Sequence, residues 1–338
     1  MAEQNVISVS CASDHNYLCG LWITLHSICK HCAAGYTLRL HVLDCGLTKD
    51  DVQRLKALET IFTHCKVEIC FHIVSLDRFK DCPTWRGGHA PYARLLLQDV
   101  LSEEDFTIYT DVDTLWLRDI SELWSMRSQD YFLWAVRDGS ELQGLSSGKA
   151  CAERFNPKGF NVNPRDYYCS GLLMMNLKRL RENDFTTQVA QTLKDIVSDV
   201  VFPDQDLYNV LINGKDVCYV DFRWGEFAVV YGRRGGLEKP VVIHYAKSAP
   251  WKFKICFVTA LWWKYLHHEA GYDVFGSEAK MWRKRARMRF FSYALRRSWV
   301  VRMFFRLLNR RSAKKYEIYL FPDKFPIPAE EISASAEK

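Results

Sequence analysis

Apolar residues along the chain switch repeatedly between a period of two and a period near 3.6. Val6–Cys11 is a β-branched run that closes on the polar segment Ala12-Ser13-Asp14-His15-Asn16-Tyr17. From Gly20 to Cys32 the spacing of Leu21, Leu25 and Ile28 predicts a helix with one apolar face. Leu38–Leu43 reads as the next strand. Thr48 then caps a helix carrying Val52, Leu55 and Leu58, with Asp51 in the place usually held by Glu. Val67–Val74 is a third strand, a helix is expected around Tyr92–Leu97, and Phe106–Thr110 is a strand ending in Asp111-Val112-Asp113. Further strands are expected at Tyr131–Val136, Gly171–Leu177, Val217–Phe222 and Val241–His244. Helices are expected at Phe185–Val197 and Leu207–Ile212, the second preceded by a loop holding Phe202-Pro203-Asp204-Gln205-Asp206. Ser140–Arg165, rich in Gly, Ser, Asn and Pro, reads as a long functional loop with room for a short helix. This alternation predicts an α/β fold, a parallel sheet covered on both faces.

Composition narrows the class. With 338 residues, 48% of them apolar and 25% charged, a disordered or collagen-like chain is excluded. No uninterrupted apolar run reaches the roughly 18 residues needed to cross a bilayer. MAEQNVISVS lacks the basic and apolar stretches of an export signal, so a cytoplasmic protein is expected. The twelve cysteines are then expected to be reduced, several of them as small buried hydrophobes. Cys29, His31 and Cys32, with His26 a turn earlier, have no second ligand cluster at convincing zinc spacing and are read as structural. Charge is uneven. Thirteen of the 46 basic residues fall in Met281–Lys315, which has no acid; elsewhere 33 bases face 40 acids.

Three places carry chemistry. Asp111 and Asp113, at the carboxyl end of a strand, can share one hard cation or simply face solvent. His244 ends another short strand, as a nitrogen ligand beside two carboxylates or as a hydrogen-bonded strand terminus. Asp14, Asn16 and Tyr17 offer polar groups for a base or ribose and an aromatic face for stacking. No G-x-G-x-x-G follows the first strand, and the P-loop and G-x-S-x-G patterns are absent.

An ordered set of motifs joins these places: Ala12-Ser-Asp14-x-Asn16-Tyr17, Tyr92-Ala-Arg94-Leu, Tyr109-Thr-Asp111-Val-Asp113-Thr-Leu-Trp and Asp119-Ile-Ser-Glu122-Leu-Trp124. Ser170-Gly171-Leu-Leu-Met-Met-Asn176-Leu, Pro203-Asp204-Gln205-Asp206, and His244-Tyr245 before Pro250-Trp251 complete it. In this the chain resembles glycosyltransferase family 8, the retaining GT-A enzymes that include bacterial lipopolysaccharide and lipooligosaccharide galactosyl- and glucosyltransferases, and it also resembles glycogenin. The resemblance implies a GT-A nucleotide-diphospho-sugar transferase fold, with a mixed, mostly parallel sheet flanked by helices. It implies Mn²⁺, with Mg²⁺ as the alternative, on Asp111, Asp113 and His244, bridging the diphosphate of a UDP-sugar. It implies uracil and ribose on Asp14, Asn16, Tyr17 and the Ala12 backbone. Arg94 and Asp204 would orient the transferred hexose, Gln205 would sit near its anomeric carbon, and Asp138 would touch the acceptor. Lys247 would reach the diphosphate.

Two departures stand out. Cys169 replaces the family's Asn before the small residue and Gly, and the loop after His244 is one residue shorter. The expected domains are a catalytic domain over 1–260, a basic, aromatic-rich helical region over 261–315 and a tail over 316–338. In that region Trp299, Val300, Met303, Phe304, Leu307 and Leu308 recur at helical spacing, against Arg296, Arg302, Arg306 and Arg310. This predicts an interfacial helix on an anionic membrane surface, reached from the cytoplasmic side, or a helix packed on the catalytic domain with a basic rim. Nucleic acid is not an expected partner, because the remaining chain is net acidic. The expected activity is transfer of galactose or glucose from a UDP-sugar to a lipid-linked oligosaccharide core. Transfer to a protein or polysaccharide, as in glycogenin, and a catalytically silent membrane-associated binding protein are the alternatives.

Overall fold

The structure is a computed structural model, described here for residues 5–85, 87–138, 146–228, 240–246, 249–252, 259–270 and 275. Its strands are β1 (Val6–Ser13), β2 (Thr37–Asp44), β3 (Lys66–Ile73), β4 (Phe106–Thr110), β5 (Thr114–Trp116), β6 (Leu133–Arg137), β7 (Tyr168–Asn176), β8 (Val217–Tyr219), β9 (Glu226–Phe227) and β10 (Val242–His244). The helices are α1 (Leu18–His31), α2 (Lys49–Lys56), α3 (Leu58–Ile61), α4 (Leu97–Val100), α5 (Ser121–Trp124), α6 (Ser146–Phe155), α7 (Leu177–Glu182), α8 (Phe185–Ile196), α9 (Pro203–Leu211) and α10 (Ala260–His268). Two compact units divide the chain: Met1–Glu226 with Pro240–Val242, and Phe227–Lys239 with Ile243–Lys338.

The first unit is built on a seven-stranded sheet of order β3-β2-β1-β4-β7-β6-β8. The pairs β1–β2, β2–β3, β1–β4 and β6–β8 are parallel, while β7 runs antiparallel to both β4 and β6. The sheet is therefore mixed and mostly parallel, as the family resemblance implies, rather than wholly parallel. Its central strand β1 is buried along nearly its whole length, polar residues included, because both faces are covered. Ser8 and Ser10 are accommodated there by the Thr107 hydroxyl, at 3.1 and 3.2 Å. The reversal of β7 matters for function. It sets Tyr168–Gly171 beside the carboxyl end of β4, where the Asp111 N–H donates to the Gly171 carbonyl at 2.7 Å.

Most expected elements are present, and the differences have local causes. α1 buries every residue from Leu18 to Cys29 rather than one face, because the segment Val112–Trp116 covers its other side. Thr48 and Asp51 form the expected capping box, but the helix stops at Lys56 and Leu58 opens a separate short one. Tyr92–Leu97 is not α-helical throughout. Pro91 opens a 3₁₀ segment, Ala90–Leu96, before α4. The expected loop at Ser140–Arg165 holds the ten-residue α6. Asp204, Gln205 and Asp206 lie in the first turn of α9 and not in a loop. Pro203 suits a first helical position, and the acids favour the positive helix end.

In the second unit the described residues include α10, with Trp262, Tyr265 and Leu266 buried. Trp262 packs on Trp251 at 5.6 Å, and the Phe227 ring stacks on His244 at 5.4 Å. No disulfide joins any two of the eleven described cysteines. Among the described residues no helix is long and apolar enough to cross a membrane. Lys247 and the basic segment 281–315 lie outside the described residues.

Candidate functional site

The site forms where β4 ends. The strand stops at Thr110, and Val112 and Asp113 make a turn before β5 begins at Thr114. Asp111 and Asp113 are thus brought together by a turn and not by extended alternation. Hydroxyl groups hold that turn from beneath. Thr24 Oγ1, on α1, lies 3.1 Å from the Val112 carbonyl and 2.9 Å from the Thr114 carbonyl. Thr110 and Thr114 donate to the Asp111 carbonyl at 3.3 and 3.0 Å.

His244 terminates β10 and is buried. β10 is approached through Val241, which exchanges main-chain bonds of 2.8 Å with Leu117 and Arg223. Asp111, Asp113 and His244 each offer one ligand atom, and these atoms all lie within 4.8 Å of one another. Among the described residues it is the only such group of His, Cys, Asp and Glu. Two carboxylate oxygens and an imidazole nitrogen could coordinate a divalent metal ion.

Arg94 is the electrostatic centre of the neighbouring floor. It is 5% exposed, with Asp111 Oδ1 2.6 Å from Nη2 and Asp204 Oδ2 3.1 Å from Nε. Its Nη1 donates to the Ser170 carbonyl at 2.6 Å, and the guanidinium lies over the Tyr109 ring at 4.3 Å. Burial alone would make this cation easier to deprotonate, but the Asp111 and Asp204 carboxylates more than offset that and hold it charged. Asp204 feels the converse. Burial raises its carboxyl above the usual range, and the Arg94 charge only partly opposes the rise. The 3.1 Å contact is an ion pair without good hydrogen-bond geometry, since Asp204 Oδ2 is buried and has no hydrogen-bond partner.

Gln205 projects from the same helical turn. Its Oε1 accepts from the Ser170 N–H at 3.2 Å, while Nε2 donates to Asp138 Oδ2 at 3.0 Å and to the Tyr167 hydroxyl at 3.1 Å. Asp138 is thereby joined to Gln205. The Cys169 sulfur accepts from the Gly171 N–H at 3.4 Å.

After β1, Ala12 is buried, Asp14 and Tyr17 are half-buried and Asn16 is exposed. Asp14 Oδ1 is a buried oxygen with no hydrogen-bond partner among the described residues. The exposed His15 pairs with Asp51 at 2.8 Å. Sequence reasoning missed Tyr167, Asp206 and Thr24 as supports of this site. Tyr167 and Thr24 belong to no motif, and their partners lie 38 and 88 residues away.

The family model for glycosyl transferase family 8 matches residues 8–254, a span that contains every one of these side chains. The chain belongs to this family. Over 215 residues it is 26% identical to a lipopolysaccharide 1,2-glucosyltransferase of Escherichia coli, covering 62% of this chain but only 59% of that enzyme. Over 266 residues it is 25% identical to general stress protein A of Bacillus subtilis (strain 168), covering 72% and 86% of the two chains. The solved structure of galactosyltransferase LgtC, in complex with donor and acceptor sugar analogs, superposes with a TM-score of 0.59 at 22% identity. It covers 72% of this chain and 89% of LgtC, a likeness of fold. For this family 8 chain the GT-A architecture and the Asp-x-Asp turn at the carboxyl end of β4 therefore stand together.

Proposed function

We propose that this family 8 chain is a retaining glycosyltransferase that moves galactose or glucose from a UDP-sugar to the core of a lipid-linked oligosaccharide. The observation that carries the proposal is the approach of Asp111, Asp113 and His244 to within ligand distance of one another. These three would hold Mn²⁺, which supplies Lewis-acid stabilisation of the departing diphosphate. The protein's own groups do the rest. Asp14 Oδ1, with Asn16, Tyr17 and the Ala12 backbone, receives the uridine. Arg94, fixed between Asp111 and Asp204, keeps both carboxylates oriented, so the hexose meets groups that need no rearrangement during transfer.

Gln205 presents a neutral amide oxygen, a weak nucleophile, and Asp204 is engaged with Arg94. This favours front-face transfer through a short-lived ion pair, with the leaving phosphate accepting the proton of the incoming hydroxyl. Asp138, bonded to Gln205, would orient that acceptor. The lipopolysaccharide acceptor is proposed from the name of the E. coli relative, of which this chain spans 59%. The proposed layout keeps a catalytic domain over 1–260, a basic helical region over 261–315 that rests on the anionic inner face of the cell membrane, and a tail over 316–338.

The test is turnover of UDP-galactose, UDP-glucose and their N-acetyl forms with Mn²⁺ against EDTA. Native chain is expected to lose transfer in EDTA. Asp113→Ala is expected to lower transfer by about two orders of magnitude while its circular dichroism stays native. Equal transfer by Asp113→Ala with the same metal response overturns the site. Hexose added to the enzyme itself selects the glycogenin-like alternative. Removing Met281–Lys338 is expected to weaken sedimentation with anionic vesicles more than turnover on a soluble acceptor; equal vesicle binding overturns the membrane role.

A further inference from the structure

The amide of Gln205 has a direction that its partners dictate. A main-chain N–H can only donate, so the amide oxygen faces Ser170 at 3.2 Å. A carboxylate can only accept, so the amide nitrogen faces Asp138 at 3.0 Å. The second N–H of the amide reaches the Tyr167 hydroxyl at 3.1 Å. A hydroxyl can either donate or accept toward such a neighbour, and what decides here lies one step deeper.

Asp206 is wholly buried. Its Oδ2 accepts from Arg154 Nη2 at 2.8 Å and from the N–H groups of Val201 and Phe202 at 2.8 and 3.0 Å. Its Oδ1 accepts from the Tyr167 hydroxyl at 3.1 Å. The Tyr167 proton is thus committed to Asp206, and only a lone pair is left to face Gln205. Asn209 locks the two elements in register: its Nδ2 donates to the Gln205 and Tyr168 carbonyls and its Oδ1 accepts from the Tyr168 N–H, each at 2.9 Å.

We propose that Tyr167 is a positioning residue which, anchored on the buried Asp206, holds the Gln205 amide in the polarity that Ser170 and Asp138 require. Both amide protons and one lone pair of Oε1 are then occupied, and the second lone pair is left for the donor sugar. The inference rests on the transferase reading above for its effect on rate, but not for its effect on the amide itself.

The full chain tests it with Tyr167→Phe beside a matched control, Tyr168→Phe. The control removes an equally buried hydroxyl bond, from Tyr168 to the Ile212 carbonyl at 2.8 Å, without touching Gln205. Tyr167→Phe is expected to lower kcat for transfer about tenfold with the KM for UDP-sugar unchanged, because the bound donor meets an amide that has lost one of its three anchors. Tyr168→Phe is expected to lose similar thermal stability and keep kcat. In ¹⁵N spectra the side-chain NH₂ pair of Gln205, identified by its loss in Gln205→Ala, is expected to shift in Tyr167→Phe and stay in place in Tyr168→Phe. Equal kcat losses in the two tyrosine variants, or an unmoved Gln205 resonance in Tyr167→Phe, overturn the proposal. If the native chain turns over no UDP-sugar, it is the transferase reading that fails, and the Gln205 resonance alone decides the role of Tyr167.

Discussion

One arginine bracketed by two carboxylates occurs twice in the first unit, and the two arrangements behave differently. Arg94 sits between Asp111 and Asp204 at the carboxyl end of β4, with the arginine 5% and Asp204 7% exposed. Arg39, on β2, sits between Glu104 at 2.7 Å and Glu68 at 3.5 Å, and is 38% exposed. Around Arg39, water and neighbouring groups share the charge: Lys66 also pairs with Glu68, and His41 with Glu104. Around Arg94 the charge is shared by two carboxylates, the Pro91 and Ser170 carbonyls and a tyrosine face. The same ion-pair chemistry gives a solvent-shared tie in one place and a buried, unscreened one in the other. Burial makes the difference, because a buried charge that loses its partner has no solvent to take over.

The comparison breaks first at Arg94. Arg94→Ala leaves Asp204 buried without its counter-ion and Asp111 without its brace. The expected stability loss is about 3–5 kcal/mol by denaturant unfolding, with transfer abolished. A variant of near-native stability would show that the two clusters are equivalent. At Arg39 the matching change, Arg39→Ala, is expected to cost less than about 1 kcal/mol at ordinary ionic strength, and still less in high salt, with activity retained.

The finest test is the sign of the pH response. Asp204 is held above its unfolded range of 3.8 by burial, so its stabilising contribution is complete below that value and fades as pH rises through the folded pKa. Asp204→Asn should therefore gain in melting temperature relative to native chain as pH rises from 4 to 7. Glu104 is held below its ordinary value of 4.5: burial alone would raise it, but hydrogen bonds from His41 and Arg39 outweigh that. Its contribution is present above about pH 4.5 and lost as pH falls through the lower folded value. Glu104→Gln should accordingly show its deficit at neutral pH and lose it on acidification. Parallel pH responses in the two variants would contradict the contrast.

What the sequence disclosed follows from the range of the forces involved. β4 was legible to the residue, Phe106–Thr110, because a buried strand writes itself as a local apolar run. The cap at Thr48 was legible for the same reason, since both partners lie within three residues. The Asp-x-Asp pair and His244 were named as ligands, but the turn that joins the two acids depends on Thr24, which lies far away on α1. The start of α9 was misplaced because Asp and Pro usually mark loops, whereas here Pro203 and the acids occupy a helix amino end. The orientation of Gln205 was invisible. It depends on Tyr167, which falls between the expected loop and the expected strand, and on the antiparallel run of β7, which no local pattern encodes.

The threonine hydroxyls beneath the Asp111–Asp113 turn carry a last consequence. A turn whose backbone is tied to the helix below it would adapt little to a cation smaller or larger than the one it fits. Selection between metals then falls to the radius and softness of the ion rather than to accommodation by the loop. Loosening the tie, by removing the Thr24 hydroxyl, would be expected to widen the range of ions the turn accepts and to weaken its hold on each.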